Sequence, residues 1–103
     1  MIRHIVMWKL KEEAQGATKE KNAEKLKLIL EGLRTTIEEI KNVEVGIQIN
    51  EEGKDAFDVV LISDFETDLD FQMYTRNPHH QKAIKFIESV TEERIFVDYL
   101  VDL

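Results

Sequence analysis

The chain has 103 residues, 43% of them hydrophobic, which supports one core and leaves no room for a second domain. Its formal charge is −7, with 14 Lys and Arg scattered among 21 Asp and Glu, which argues against nucleic acid as a partner. The absence of cysteine excludes disulfides, thiolate metal sites and a cysteine nucleophile, and it fits a cytoplasmic protein.

The first element is IRHIVMWKL, residues 2–10, whose β-branched and aromatic content predicts a strand. Its apolar run is too short for a secretory signal, and no segment approaches the ~20 apolar residues of a membrane span. His4, Val6, Trp8 and Leu10 share one face while Ile5 and Met7 share the other, so both faces of the sheet need a cover. The polar run KEEAQGATKEK then reads as a loop.

Over about residues 18–41, Leu26, Ile29, Leu30, Leu33, Ile37 and Ile40 recur at spacings of three and four and predict an amphipathic helix. Gly32 lies inside it at a cost of about 1 kcal/mol relative to alanine, either for close backbone approach or at a surface position. Val43, Val45, Ile47 and Ile49 alternate with polar residues and Gly46, which predicts a half-buried strand followed by the turn NEEGKD. In FDVVLISDF, residues 57–65, Phe57, Val59, Leu61 and Phe65 share one face and Asp58, Val60, Ile62 and Asp64 the other.

A short helical turn is expected over residues 68–74, followed by Asn77 as a cap and Pro78 at the first position of a helix reaching about Thr91. Residues 94–103 predict a closing strand with Ile95, Val97, Tyr99 and Val101 on one side and Phe96 and Leu100 on the other. The order βαββαβ gives the α+β fold class, a ferredoxin-like four-stranded antiparallel sheet with both helices on one face. The other face, expected to carry Ile5, Met7, Val59 and Leu61, is apolar too, and a two-fold homodimer stacking sheet on sheet would bury it.

The adjacent histidines at the start of the last helix flank its buried stripe of Ala83, Ile84, Phe86, Ile87 and Val90, and periodicity alone selects neither. One reading makes one a packing residue and the other solvated. In the other, the positive helix end keeps an imidazole neutral, so that it can accept a proton from a bound molecule. If His4, Val6 and Trp8 face the helices, the neighbouring strand is expected to add Asp58, Val60 and Ile62, bringing His4, Asp58 and His80 together as an acid–base group or a satisfied polar cluster. Tyr74 would donate to an oxyanion or serve as amphipathic filler, and Trp8 would wall a cavity or simply fill the core. No HxxxH or HxH spacing is present, and adjacent helical histidines point about 100° apart, so no metal site is expected. No phosphate loop, nucleophile elbow or dinucleotide fingerprint occurs.

The opening HIVMWKLK, the central YTRNPHHQK and the ending IFVDYLVDL, in that order, make nearly the whole chain similar to the stress-responsive A/B barrel domain (Dabb) family. The resemblance implies a dimeric α/β barrel of two ferredoxin-like subunits. Most members have no assigned reaction. A few relatives are polyketide cyclases that use no cofactor and close a ring by aldol chemistry in a cavity between sheet and helices, with a second-helix histidine, a third-strand histidine and a tyrosine. Carried over, the helix histidine falls on His80, the tyrosine on Tyr74 and the first-strand histidine of the family on His4. The third-strand histidine falls on Asp58, a departure, because a carboxylate can orient His80 but lacks the hydrogen-bonding pattern of a neutral imidazole.

Two functions follow. One is a homodimeric domain with a small-molecule cavity, walled by His4, Val6, Trp8 and Val60, that takes a small apolar or carbonyl ligand without an established reaction. The other is a cofactor-independent enzyme with His80 as general base, Asp58 as its orienter and Tyr74 as oxyanion donor. The architecture also hosts haem-degrading and quinol-forming monooxygenases, an analogy of fold alone.

Overall fold

Along β1 (Ile2–Leu10) burial alternates with the pleat, His4, Val6, Trp8 and Leu10 being buried and Ile5, Met7 and Lys9 only partly covered. The computed structural model describes residues 1–50 and 53–101. Residues 51 and 52 of the expected NEEGKD turn, and 102 and 103 of the expected closing strand, lie outside the described residues.

In place of the expected loop, a small hairpin forms from β2 (Glu13–Ala14) and β3 (Ala17–Thr18). Its turn residues Gln15 and Gly16 have φ of 52° and 72°. A two-residue hairpin connection of the type with both φ positive follows the sheet's twist, and glycine takes that conformation freely. Strands of two residues are too short to show alternation, so composition alone gave no sign of them.

Thr18 caps α1 (Lys19–Thr36) by accepting a hydrogen bond from the Lys21 N–H. The helix ends five residues before the expected boundary. Ile37 turns to an extended conformation while its N–H still donates to the Leu33 carbonyl at 2.8 Å. Ile40 then enters β4 (Ile40–Ile47) opposite Phe65. Ile37 and Ile40 are buried as the spacing requires, but as the helix cap and as a strand residue. Gly32 is exposed, and a Cβ built on it meets nothing within 4 Å, so the surface alternative holds.

The second strand of this hairpin-like pair is β5 (Val59–Phe65), shorter at its start than expected. Thr67 caps α2 (Asp68–Arg76), a full helix where only a turn was expected. Asn77 ends α2 and begins α3 (Pro78–Val90), accepting from the His79 N–H while Pro78 fills the first position. Thr91 both caps α3 and opens β6 (Thr91–Leu100), three residues earlier than expected, so no linker separates helix from strand.

The four long strands form one antiparallel sheet in the order β4-β5-β1-β6, with the helices on one face, as the ferredoxin-like class requires. Leu26, Leu30, Phe65, Ile87 and Val90 fill the space between the layers.

Register corrects the expected parity of β5. Val6 pairs with Leu61 and Trp8 with Val59, and directly opposed residues of an antiparallel pair lie on the same face. Val59 and Leu61 therefore belong to the helix-side core, while Val60 and Ile62 join Ile5 and Met7 on the open face. Ile95, Val97 and Tyr99 of β6 extend that face and are exposed. At one end of it the Arg3 guanidinium makes two bonds to Asp64, at 2.8 and 3.1 Å, and Asn42 adds a third at 3.4 Å.

Two outcomes follow for stability. Gly32→Ala should raise it by about 1 kcal/mol because alanine is the better helix former and nothing crowds the site, an increase of several degrees in thermal unfolding. An unchanged or lowered midpoint would contradict an unobstructed surface position. The Arg3 bond holds the Asp64 carboxyl below its ordinary pKa, against the opposing effect of burial. Its contribution is present above the unfolded carboxyl's pKa and is lost as pH falls through the folded value. Urea unfolding should therefore show Asp64→Asn less stable than wild type at pH 7 and the gap closing in acid; a gap constant with pH would refute the pairing.

Candidate functional site

Two histidines from different elements border the space beneath the helices. His4 comes from β1, opposite Asp98 of β6, and its Nδ1 is hydrogen-bonded to the Asp98 carboxylate. The His4 ring lies 5.0 Å from Phe71 of α2 and 6.4 Å from Phe96 of β6. Because the carboxylate accepts, Nδ1 carries the proton of that bond.

His80 is the third residue of α3, held there by the Asn77 cap and Pro78. Its Nδ1 donates to the Thr75 carbonyl at 3.2 Å, which leaves Nε2 as the acceptor nitrogen. Burial pushes the His80 pKa below its ordinary value; nearby His4 and Arg94 act in the same direction and the Thr75 bond opposes them. The ring is thus a neutral base at pH 7. Tyr74 stacks obliquely on it at 4.2 Å and is 2% exposed. Burial raises the Tyr74 phenol to about 12, so it remains a protonated donor, with Arg94 partly offsetting the shift.

These groups border a cavity of about 540 Å³ between sheet and helices. His4, Tyr74, His80 and Asp98 belong to its polar lining, with Glu88, Glu92, Glu93 and Arg94, and Val6, Leu61, Ile84 and Ile87 form its apolar wall, with Trp8 farther along β1. The arrangement combines a base with a lone pair, a phenolic donor and a carboxylate-oriented imidazole. Such a set can abstract a proton from a carbonyl compound and stabilise the resulting oxyanion.

Of the expected site residues, His4, Val6, Trp8, Tyr74 and His80 line this cavity, and Asp58 and Val60 do not. Asp58 precedes β5, where its carboxylate accepts from the Leu10 N–H at 2.8 Å and lies 3.7 Å from the Lys19 ammonium. It pins the end of β1 to the start of α1 and borders a separate polar depression. It therefore does not orient His80. Val60 is on the open face, for the reason of register given above. His79 is exposed.

The carboxylate partner is Asp98, which inspection of the sequence passed over. Its signal is an acidic residue within the apolar run from Ile95 to Leu100, on the same side of the strand as Phe96. Phe71 and Arg94 were missed because α2 was read as a mere turn and β6 as starting at Arg94. Among the described residues, no three His, Asp or Glu side chains are grouped to hold a metal ion.

Solved structures with the same fold include a dimeric ferredoxin-like protein of unknown function from Bacteroides fragilis, 29% identical, with a TM-score of 0.79 over 95% of this chain and 93% of that one. A dimeric ferredoxin-like protein of unknown function from Thermobifida fusca is 23% identical, with a TM-score of 0.80 over 97% of this chain and 90% of that one. A hydroxynitrile lyase from Passiflora edulis is 20% identical, with a TM-score of 0.80 over 98% and 93% of the two chains. No curated protein matches the chain. The family model for the stress responsive A/B barrel domain matches residues 2–101, and the chain belongs to that family.

Proposed function

We propose that this protein is a homodimeric, cytoplasmic small-molecule-binding domain whose ligand occupies the cavity between sheet and helices. The observation that carries the reading is the cavity of about 540 Å³, a volume suited to a small organic molecule, lined by apolar side chains together with His4, Tyr74 and His80. Apolar walls would hold the body of the ligand, and His80, His4 and Tyr74 its oxygen atoms. The dimer rests on the exposed Ile95, Val97 and Tyr99 beside Ile5, Met7, Val60 and Ile62, and on the dimeric state of the Bacteroides and Thermobifida structures. The cytoplasmic assignment rests on the acidic composition without cysteine.

A second reading, cofactor-independent acid–base catalysis on a carbonyl or polyketide-like substrate, draws on the neutral His80 beside the protonated Tyr74. His80 Nε2 would take a proton α to a carbonyl, the enolate carbon would attack a second carbonyl of the same chain, and Tyr74 would donate to the new oxyanion. The proton held on His80 Nε2 would then pass to the new alkoxide, with the Thr75 carbonyl rather than Asp58 orienting the ring.

Thermal-shift screening of small phenols and ketones should find ligands that stabilise wild type and lose their effect in His80→Ala, while that variant's own unfolding temperature stays close to wild type. A fall of many degrees without ligand would make His80 a packing residue instead. Proton NMR titration should give His80 a midpoint below 6.5, and a midpoint at or above it would remove the neutral base. Sedimentation equilibrium at micromolar concentration should give twice the 12.1 kDa chain mass; the single-chain mass would exclude the dimer.

A further inference from the structure

The bare nitrogen of His80 depends on a carbonyl that the local chain leaves free. In an unbroken helix the Thr75 carbonyl would accept from the N–H of His79, one turn on. Here Pro78, which has no N–H, starts a new helix, and the His79 N–H is taken by the Asn77 side chain at 2.9 Å. The last carbonyls of a helix need partners from elsewhere, and Thr75 finds them in two neighbouring side chains of α3. His80 Nδ1 donates to it at 3.2 Å and Gln81 Nε2 at 2.6 Å. A carbonyl oxygen has two lone pairs and only accepts, so these two donors satisfy it.

The two bonds are unequal. The His80 bond is at the long end of the normal range, and an imidazole that loses its Nδ1 partner can carry its proton on Nε2 instead, where it can no longer accept. The Gln81 bond is the shorter, and it comes from an exposed side chain that does not border the cavity. Because Gln81 follows His80 on the same helix, its bond ties the end of α2 to α3 and keeps the Thr75 oxygen within reach of the ring.

We propose that Gln81 is a positioning residue for His80: by clamping the Thr75 carbonyl to α3, it holds the ring in the tautomer with the proton on Nδ1 and Nε2 bare. This rests on the cavity reading given above and adds to it the device that presents the base. Any effect of changing Gln81 passes through Thr75 and His80.

Heteronuclear NMR of the His80 ring nitrogens in the ligand-free, full-length protein tests the clamp. In mildly alkaline buffer, where the ring is neutral, wild type should show Nδ1 protonated and Nε2 unprotonated. Gln81→Leu keeps the bulk of the side chain without its donor. It should shift the tautomer ratio at least about threefold toward the proton on Nε2, the scale of one neutral hydrogen bond lost. Gln81→Lys can still donate to the carbonyl and should return the ratio most of the way to wild type, a recovery that a general loosening of the fold would not give. An equal ratio in wild type and Gln81→Leu would overturn the proposal. So would a wild-type ring protonated on Nε2, or a Gln81→Lys ratio no better than that of Gln81→Leu. No ligand enters the measurement, so its outcome is separate from the thermal-shift screen on which the cavity reading depends.

Discussion

A strand paired on both sides can present each residue to only one face, and β1 is paired along nearly its whole length with β5 and β6. That double pairing puts His4, Val6 and Trp8 under the helices and Arg3, Ile5 and Met7 on the far side. It also decides which neighbours join them: Leu61 and Val59 from β5, Phe96 and Asp98 from β6. A slip of one residue would exchange the two sets and leave a charged Arg3 against the aromatic residues of α2. The Arg3–Asp64 pair and the Asp58 bond to the Leu10 N–H oppose such a slip from opposite ends of the strand.

Most of the fold was legible because it was written in long periodic segments. The stripe of Leu26, Leu30 and Leu33 announced α1, and Asn77-Pro78 announced the start of α3 through a cap and a residue that needs no helical donor. The boundaries that failed did so where tertiary packing overrode local pattern. Ile37 and Ile40 continued a helical spacing, yet pairing of Ile40 with Phe65 drew the chain into the sheet. The hairpin at Gln15-Gly16 carried only a turn signal, without strands long enough to announce themselves.

The candidate site was legible in part, and the failures share a cause. Alternation tells which residues of a strand share a face, but not which face meets the helices. His4, Val6 and Trp8 were assigned correctly to the helix side, whereas β5 was assigned the wrong way round, taking Asp58 and Val60 with it. In β5 both faces are apolar, so composition did not break the tie, and in β1 the helix-side face entered only as a condition, which the burial of His4, Val6 and Trp8 meets. Asp98 was readable in principle, as the carboxylate inside the apolar run from Ile95 to Leu100, but only if β6 was known to lie beside β1. The family resemblance chose His80 over His79, which periodicity had left open, and the exposed His79 and half-buried His80 agree with that choice.

The join at Thr91 has a wider meaning. Because α3 passes straight into β6, the element that carries His80 and the one that carries Asp98 form a single continuous arm. On its outer half, residues 95, 97 and 99 look one way and 96 and 98 the other, so the strand has no idle position. With the open face as the proposed dimer seam and the cavity as the proposed ligand site, selection on assembly and selection on ligand chemistry would compete for adjacent codons.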